Sequence, residues 1–97
     1  MQDIACFYTT DKNTSVYLTD GRSYSYAKTL DQISTMLNPA DFIRANKQYI
    51  LARNSVKEIT IWFDSRLLLN LTIDVPERIY VSKNKASEFK NWIVSQE

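Results

Sequence analysis

The chain has 97 residues, with twelve Lys or Arg against eleven Asp or Glu, 44% hydrophobic residues and no His. Its length and apolar content predict one globular domain around a single core. The lack of His excludes a Ser-His-Asp or Cys-His catalytic set and a His-ligated metal site. One Cys and one Gly exclude an internal disulfide, a Cys-rich zinc site and a Gly-rich phosphate-binding loop, so we expect no cofactor.

Short β-like runs alternate with turn signals in the first third of the chain. We predict strands over residues 4–9, 14–19 and 22–27. Asp20-Gly21 separates the last two and is the strongest short-range signal for a hairpin. A capping box from Thr29 to Gln32 then predicts a short amphipathic helix, whose apolar stripe continues to Leu37 before Asn38-Pro39 stops it.

The remainder of the chain is again mostly β-like. We predict strands over residues 42–44, 49–51, 56–62, 67–73 and 79–81, and a tight hairpin turn over residues 63–66. Ser82 precedes a closing helix in which Ala86, Phe89, Trp92 and Ile93 fall on one face. The sequence therefore predicts a mainly β domain with two short helices.

The acidic residues are the remaining route to catalysis, because paired carboxylates can act as general acid and base. The Asp residues fall singly in apparent turns or at helix starts, interleaved with Lys and Arg. No two of them have a spacing that indicates a converging pair. We therefore expect no enzyme, with a small carboxylate-dependent hydrolase as a remote alternative.

The chain also shows no targeting signal. Its start lacks a basic segment followed by an apolar one, and its longest apolar runs are a few residues against the roughly 20 that a membrane-spanning helix needs. We expect a cytoplasmic protein with no membrane partner, and one unpaired Cys fits a reducing compartment.

The order of the elements and the residues at their junctions resemble the LytTR-type DNA-binding domain, the C-terminal output domain of LytR/AlgR-type bacterial response regulators. The resemblance covers nearly the whole chain and depends on short segments in a fixed order. These are Asp3-Ile4-Ala5-Cys6-Phe7, Asp20-Gly21, Thr29-Leu30-Asp31-Gln32-Ile33, the run from Phe42 to Leu51, Val56-Lys57-Glu58-Ile59 and Ile79-Tyr80-Val81-Ser82-Lys83.

The resemblance implies a single domain over residues 1–97, with short strands and hairpins in small sheets and two short helices. It also implies a function, sequence-specific binding of duplex DNA through loops that enter the major groove. Three loops carry most of the contacts in this family. They map to residues 11–15, where Asn13 or Thr14 would reach the DNA, to Asn46, Lys47 and Gln48, and to residues 82–85 with Lys83, Asn84 and Lys85.

The sequence departs from the family pattern inside these loops. Asn46 replaces a frequent His, Lys47 and Lys83 stand where Arg is common, and Ala52 stands where Asn is frequent. Arg can contact guanine through two hydrogen bonds, whereas Lys presents a mobile point charge, so phosphate attraction is kept. We expect base choice to depend more on Asn13, Asn46, Gln48 and Asn84, because amides can pair bidentately with adenine.

The distribution of charge supports a DNA partner independently, although the net charge is only +1. Two acid-free segments rich in Asn, Gln and Ser carry Lys47, Arg53 and Lys57, and Arg78, Lys83 and Lys85. Such residues contact phosphates and base edges. Arg53 therefore joins the candidate DNA contacts.

The implied partners are those of a two-component regulator. We expect double-stranded DNA with paired repeat half-sites, a homodimer on DNA in the intact protein, and an upstream receiver domain with a cognate sensor histidine kinase. The chain opens almost directly on a strand, so we expect a C-terminal fragment that is monomeric or weakly dimeric alone. The alternative is a protein-interaction module on the same β scaffold.

Overall fold

A computed structural model describes residues 3–10 and 13–94 and contains two antiparallel sheets and two helices. The strands are β1 (Ile4–Thr10), β2 (Asn13–Leu18), β3 (Ser23–Tyr26), β4 (Phe42–Arg44), β5 (Tyr49–Ala52), β6 (Val56–Ile61), β7 (Leu67–Leu71) and β8 (Ile79–Val81). The helices are α1 (Leu30–Ser34) and α2 (Lys83–Val94), with 3-10 turns at Arg53–Ser55 and Phe63–Ser65. The predicted mainly β fold is confirmed.

The first sheet has five strands in the order β3-β2-β1-β5-β4. Its predicted hairpin at Asp20-Gly21 is confirmed, because β2 and β3 pair in antiparallel fashion from Tyr17 opposite Ser23 onward. Gly21 has a φ of +93°, a conformation that residues with a side chain rarely adopt. The single glycine of the chain is therefore placed where the turn needs it.

Helix α1 begins at the predicted capping box. Thr29 Oγ1 accepts from the Gln32 backbone N–H at 3.1 Å, and Gln32 Oε1 accepts from the Thr29 N–H at 2.9 Å. The α-helix ends at Ser34, one turn earlier than the apolar stripe to Leu37 predicted. The hydroxyls of Ser34 and Thr35 donate to carbonyls three residues back, and such local bonds compete with continued helix.

Two apolar clusters lie on opposite faces of the five-stranded sheet. One packs α1 against it through Phe7, Val16, Leu30, Ile33, Phe42, Ile50 and Ala52. The other joins it to the second sheet, β6-β7-β8, and to α2 through residues that include Cys6, Tyr49, Leu51, Leu69, Ile79 and Phe89. Strand β5 is buried along its whole length because it contributes to both clusters.

Helix α2 has 12 residues and buries Ala86 and Phe89, as the predicted stripe requires. Trp92 is half-buried beside Phe89, and its indole N–H donates to the Pro39 carbonyl at 2.8 Å. No helix in residues 3–10 and 13–94 is long and apolar enough to cross a membrane.

The hairpin between β6 and β7 uses a strained turn. Asp64 and Ser65 have φ values of +61° and +63°, and the Trp62 N–H donates to the Arg66 carbonyl at 2.6 Å. Two successive residues at positive φ match the twist of the paired strands, which explains the tight turn. Asp tolerates this conformation better than most residues, whereas Ser does not, so the unfavourable backbone conformation of the turn lies at Ser65.

We expect Ser65→Gly to stabilise the protein, because glycine adopts positive φ without steric cost. The left-handed conformation costs a non-glycine residue about 1–2 kcal/mol, and the extra freedom of glycine in the unfolded chain offsets about half of that. Urea unfolding should show a gain of about 0.5–1 kcal/mol. Ser23→Gly, in exposed strand β3, is the control and should destabilise; a loss of stability in Ser65→Gly would contradict the strain.

Candidate nucleic-acid interface

A surface groove lies between the loop over residues 45–48, which connects β4 to β5, and the start of α2. It has a volume of about 600 Å³. We call it the basic groove, and its lining residues are Arg44, Ala45, Asn46, Lys47, Arg66, Tyr80, Ser82 and Lys85. Four of these eight residues are cationic and none is acidic, so the groove attracts anions although the chain as a whole is nearly neutral.

Asn46 holds the 45–48 loop in shape. Its side-chain oxygen accepts from the backbone N–H groups of Gln48 at 2.8 Å and Tyr49 at 3.0 Å, and its amide nitrogen donates to the Tyr80 carbonyl at 2.9 Å. Bidentate pairing with adenine needs the amide oxygen and nitrogen together. In this conformation Asn46 positions the loop, and its contact with a base stays a prediction.

Arg44 supports the same loop from below. Its guanidinium donates to the carbonyls of Asn46 at 3.2 Å and Lys47 at 3.4 Å, and it pairs with the Asp31 carboxylate. The loop backbone is thus fixed on both sides while the Lys47 side chain remains exposed. Sequence reasoning did not select Arg44 as a site residue. Its place next to the family-like loop was the one available signal.

A second, smaller groove on the other side of Lys47 differs in charge. Its lining residues are Asn46, Lys47, Gln48, Glu77, Arg78 and Tyr80. Glu77 brings a carboxylate there, and the Tyr8 hydroxyl donates to it, which raises the pKa of Tyr8. Glu77 offsets part of the positive charge of Lys47 and Arg78 there, whereas the basic groove has four cations and no acid, so an anionic backbone is favoured on the basic-groove side.

The third predicted loop is instead the first turn of a helix. Lys83, Asn84 and Lys85 open α2 and are all exposed. Lys85 Nζ lies 3.5 Å from the Arg44 carbonyl, so the second and third predicted segments meet at the basic groove. Positive side chains at a helix N-terminus are unfavourable in the free protein, and a bound phosphate would relieve this.

The first predicted segment borders a different groove, which also reaches Arg44. Asn13 is exposed and lines another groove that it shares with Arg44. Thr14 is only 6% exposed, and its hydroxyl donates to Thr9 Oγ1 at 3.2 Å, so Asn13 is the residue that faces solvent. Asp11 and Lys12, which the prediction placed in the same loop, lie outside the described residues.

Arg66 also faces the basic groove, although sequence reasoning did not select it. Its guanidinium lies 5.3 Å from the centre of the Tyr80 ring, a cation–π contact that holds the charge beside Ser82 and Lys85. Arg66 follows the strained turn, and the pairing of β7 with β8 carries it there. No local sequence signal indicates this, because the proximity arises from strand register.

Arg53 does not line the basic groove, and its contact with DNA stays a prediction. It is 8% exposed, and its guanidinium donates to the carbonyls of Ala40 at 3.0 Å, Trp92 and Ile93 at 3.2 Å. The guanidinium also stacks 4.1 Å from the centre of a Trp92 ring. It therefore caps the C-terminal end of α2, about 15 Å along the helix from Lys83.

A family model and a solved structure that resemble this chain carry the same description. A family model described as the LytTr DNA-binding domain matches residues 1–94. A solved structure described as the LytTr DNA-binding domain of a putative methyl-accepting/DNA response regulator from Bacillus cereus has a TM-score of 0.79 and 26% identity, covering 95% of this chain and 82% of that chain.

Curated relatives are similar over most of this chain. The sensory transduction protein LytT of Bacillus subtilis is 34% identical over 92% of the chain, and the transcriptional regulatory protein YpdB of Escherichia coli is 30% identical over 82%. The transcriptional regulatory protein LytR of Staphylococcus aureus is 30% identical over 79%. The aligned regions are 36%, 32% and 30% of those proteins, so the chain spans about a third of their length.

We expect Asn46→Ala to loosen the 45–48 loop. The substitution leaves the N–H groups of Gln48 and Tyr49 without their acceptor, which costs about 1–3 kcal/mol. Amide hydrogen exchange should accelerate at these two positions and stay unchanged at Leu51, which is within β5. Unaltered exchange at Gln48 and Tyr49 would contradict the positioning role.

We expect Arg53→Met to lower the free energy of unfolding by about 2–4 kcal/mol, because three partly buried carbonyls lose a charged donor and Trp92 loses its cation–π partner. Urea unfolding measures this loss of stability. The folded protein should keep the basic groove unchanged, because Arg53 does not line it. Arg22→Met is the control, since its ion pair with Asp20 is exposed, and it should change stability far less than Arg53→Met does. Equal effects of the two substitutions would rule out the capping role.

Proposed function

Because the chain belongs to the LytTr DNA-binding domain family, we propose that it binds duplex DNA sequence-specifically through the basic groove and the segments that border it. The observation that carries this proposal is the convergence of Arg44, Lys47, Arg66 and Lys85 on one groove. A concave surface lined by four cations suits a phosphate backbone. Asn13 lines a neighbouring groove that also includes Arg44.

Contacts of two kinds follow from the chemistry of the exposed side chains. Lys47, Lys83 and Lys85 supply mobile positive charges that neutralise phosphates and carry little sequence information. Gln48, Asn84 and Asn13 have amides suited to base edges in the major groove. In this proposal the loop over residues 45–48 and the first turn of α2 make the central DNA contacts. Asn13 makes a contact at the edge of the interface.

In the intact regulator, this domain would be the output part of a two-component system. The curated relatives are transcriptional regulators or sensory transduction proteins about three times as long as the matched region. A receiver domain upstream, phosphorylation by a cognate sensor histidine kinase, pairing on repeated half-sites and a cytoplasmic location belong to the same proposal. Its role is regulation of transcription, with no catalytic step.

The salt dependence of binding tests the electrostatic part of the proposal. On a duplex selected from a random library, Lys47→Ala and Lys83→Ala should each weaken binding about five- to tenfold and flatten the slope of log K against log salt by about 1. Lys90→Ala is the matched control, because Lys90 is exposed on α2 outside the basic groove. A flat salt response of the unmodified protein would favour the protein-interaction alternative.

A residue that contacts bases should respond differently from the lysines that contact phosphates. Asn84→Ala should reduce the preference for the selected site over a scrambled duplex by about 1–3 kcal/mol, with little change in the salt slope. Competition binding with both duplexes measures the ratio. A loss of affinity that is equal for both duplexes would assign Asn84 to phosphate contact instead.

A further inference from the structure

Strand β6 is an edge strand, and one side of it is open. In the described part of the chain it pairs only with β7, and most of its residues are exposed. Ile61 is 69% exposed and Trp62, immediately after the strand, is 40% exposed. Exposed apolar side chains beside unpaired backbone groups are unusual on a monomer, because such an edge can pair with another strand.

The register of β6 with β7 fixes which backbone groups point outward. The Trp62 N–H donates to the Arg66 carbonyl, so Trp62 and Arg66 form a hydrogen-bonded pair. In antiparallel strands these pairs alternate, so Thr60 bonds to its partner Leu68. The N–H and C=O groups of Ile59 and Ile61 consequently point away from β7, toward the open edge.

The two ends of β6 differ in how well they are protected against pairing with another strand. At its N-terminal end, a register irregularity between Val56 and Glu58 and the charge of Lys57 disturb the edge. Both devices commonly prevent pairing between edge strands. The other end is Ile59-Thr60-Ile61, three β-branched residues with high strand propensity and no charge.

We propose that a second copy of this chain pairs with β6 in antiparallel fashion, about a two-fold axis through Thr60. Ile59 of each copy then faces Ile61 of the other. Each such pair exchanges two backbone hydrogen bonds, which gives four bonds across the axis. The four isoleucine side chains lie on the same face, so exposed Ile61 becomes covered.

Charge complementarity favours this register over a one-residue shift of the axis. With the axis at Thr60, Lys57 of one copy lies opposite the hairpin turn of the other, where exposed Asp64 carries a negative charge. With the axis at Ile59, Lys57 would face the apolar Ile61. An axis between residues would oppose side chains from different faces of the sheet, which a continuous sheet does not allow.

The pairing surface is small, so the dimer is weak. Three residues per copy bury far less than the roughly 1,200–2,000 Å² of a stable interface, and we expect a dissociation constant on the order of 0.1–1 mM. The interface shares no residue with the basic groove. The proposal therefore does not depend on DNA binding, and it is tested without DNA.

Analytical ultracentrifugation of the 97-residue chain up to 1 mM tests the association. The unmodified chain should show reversible dimerisation, and Ile61→Lys should weaken it at least tenfold by placing an unpaired charge against the partner's isoleucine. Val94→Lys is the matched control, because Val94 is 67% exposed at the far end of α2 and should leave dimerisation unchanged. A strictly monomeric unmodified chain, or equal effects of both substitutions, would overturn the proposal.

Disulfide trapping tests the register. Across the axis, the two copies of residue 60 form a non-hydrogen-bonded pair with Cα atoms about 4.5 Å apart, which a disulfide spans. Thr60→Cys should therefore form a covalent dimer in oxidised glutathione, whereas in Lys57→Cys the two sulfurs are about 20 Å apart. Cys6 is fully buried and should not react. Equal cross-linking of both variants would show random association or another partner strand, and would overturn the register.

Discussion

The two-sided burial of β5 is the constraint on which the rest of the structure depends. Tyr49 and Leu51 face the second sheet and α2, whereas Ile50 and Ala52 face α1, so all four side chains are buried. Slipping this strand by one residue would exchange its two faces and misplace both clusters. Burial also raises the pKa of the Tyr49 hydroxyl, which donates to the Glu77 carbonyl and thereby ties β5 to the segment before β8.

The candidate interface is a consequence of that packing. The loop over residues 45–48 enters β5, and the Asn46 amide connects it to Tyr80 of β8 in the other sheet. The same sheet-to-sheet contact brings the first turn of α2 next to Arg44. Cations from three separate stretches of the sequence therefore line one groove, and one of them, Arg44, is held in place by loop carbonyls and by the Asp31 carboxylate.

Polar side chains in this domain divide into supports and contacts according to burial. Arg53, Asn46 and Thr14 all resemble DNA contacts by residue type, yet each has its polar atoms bonded within the protein. Lys47, Lys83 and Asn84 are exposed and are free to meet a ligand that arrives from solvent. A buried donor without a partner is costly, so a buried polar residue near a site usually shapes the site.

The sequence by itself determined the local structure. Asp20-Gly21 specified a hairpin, Thr29 and Gln32 specified a capped helix start, and the short β-branched runs specified strands, because each depends on neighbours a few residues apart. The family-like order of these elements also identified the segments around Lys47 and Lys83. Only the tertiary structure decided that Arg53 caps α2, that Asn46 positions its loop, and that Arg44 and Arg66 join the groove. Asn46 and Arg44 also bond to residues two and three positions away, but the contacts that complete these roles involve partners 13 to 40 residues away, such as Ala40, Ile93 and Tyr80. Their proximity follows from strand register and sheet packing.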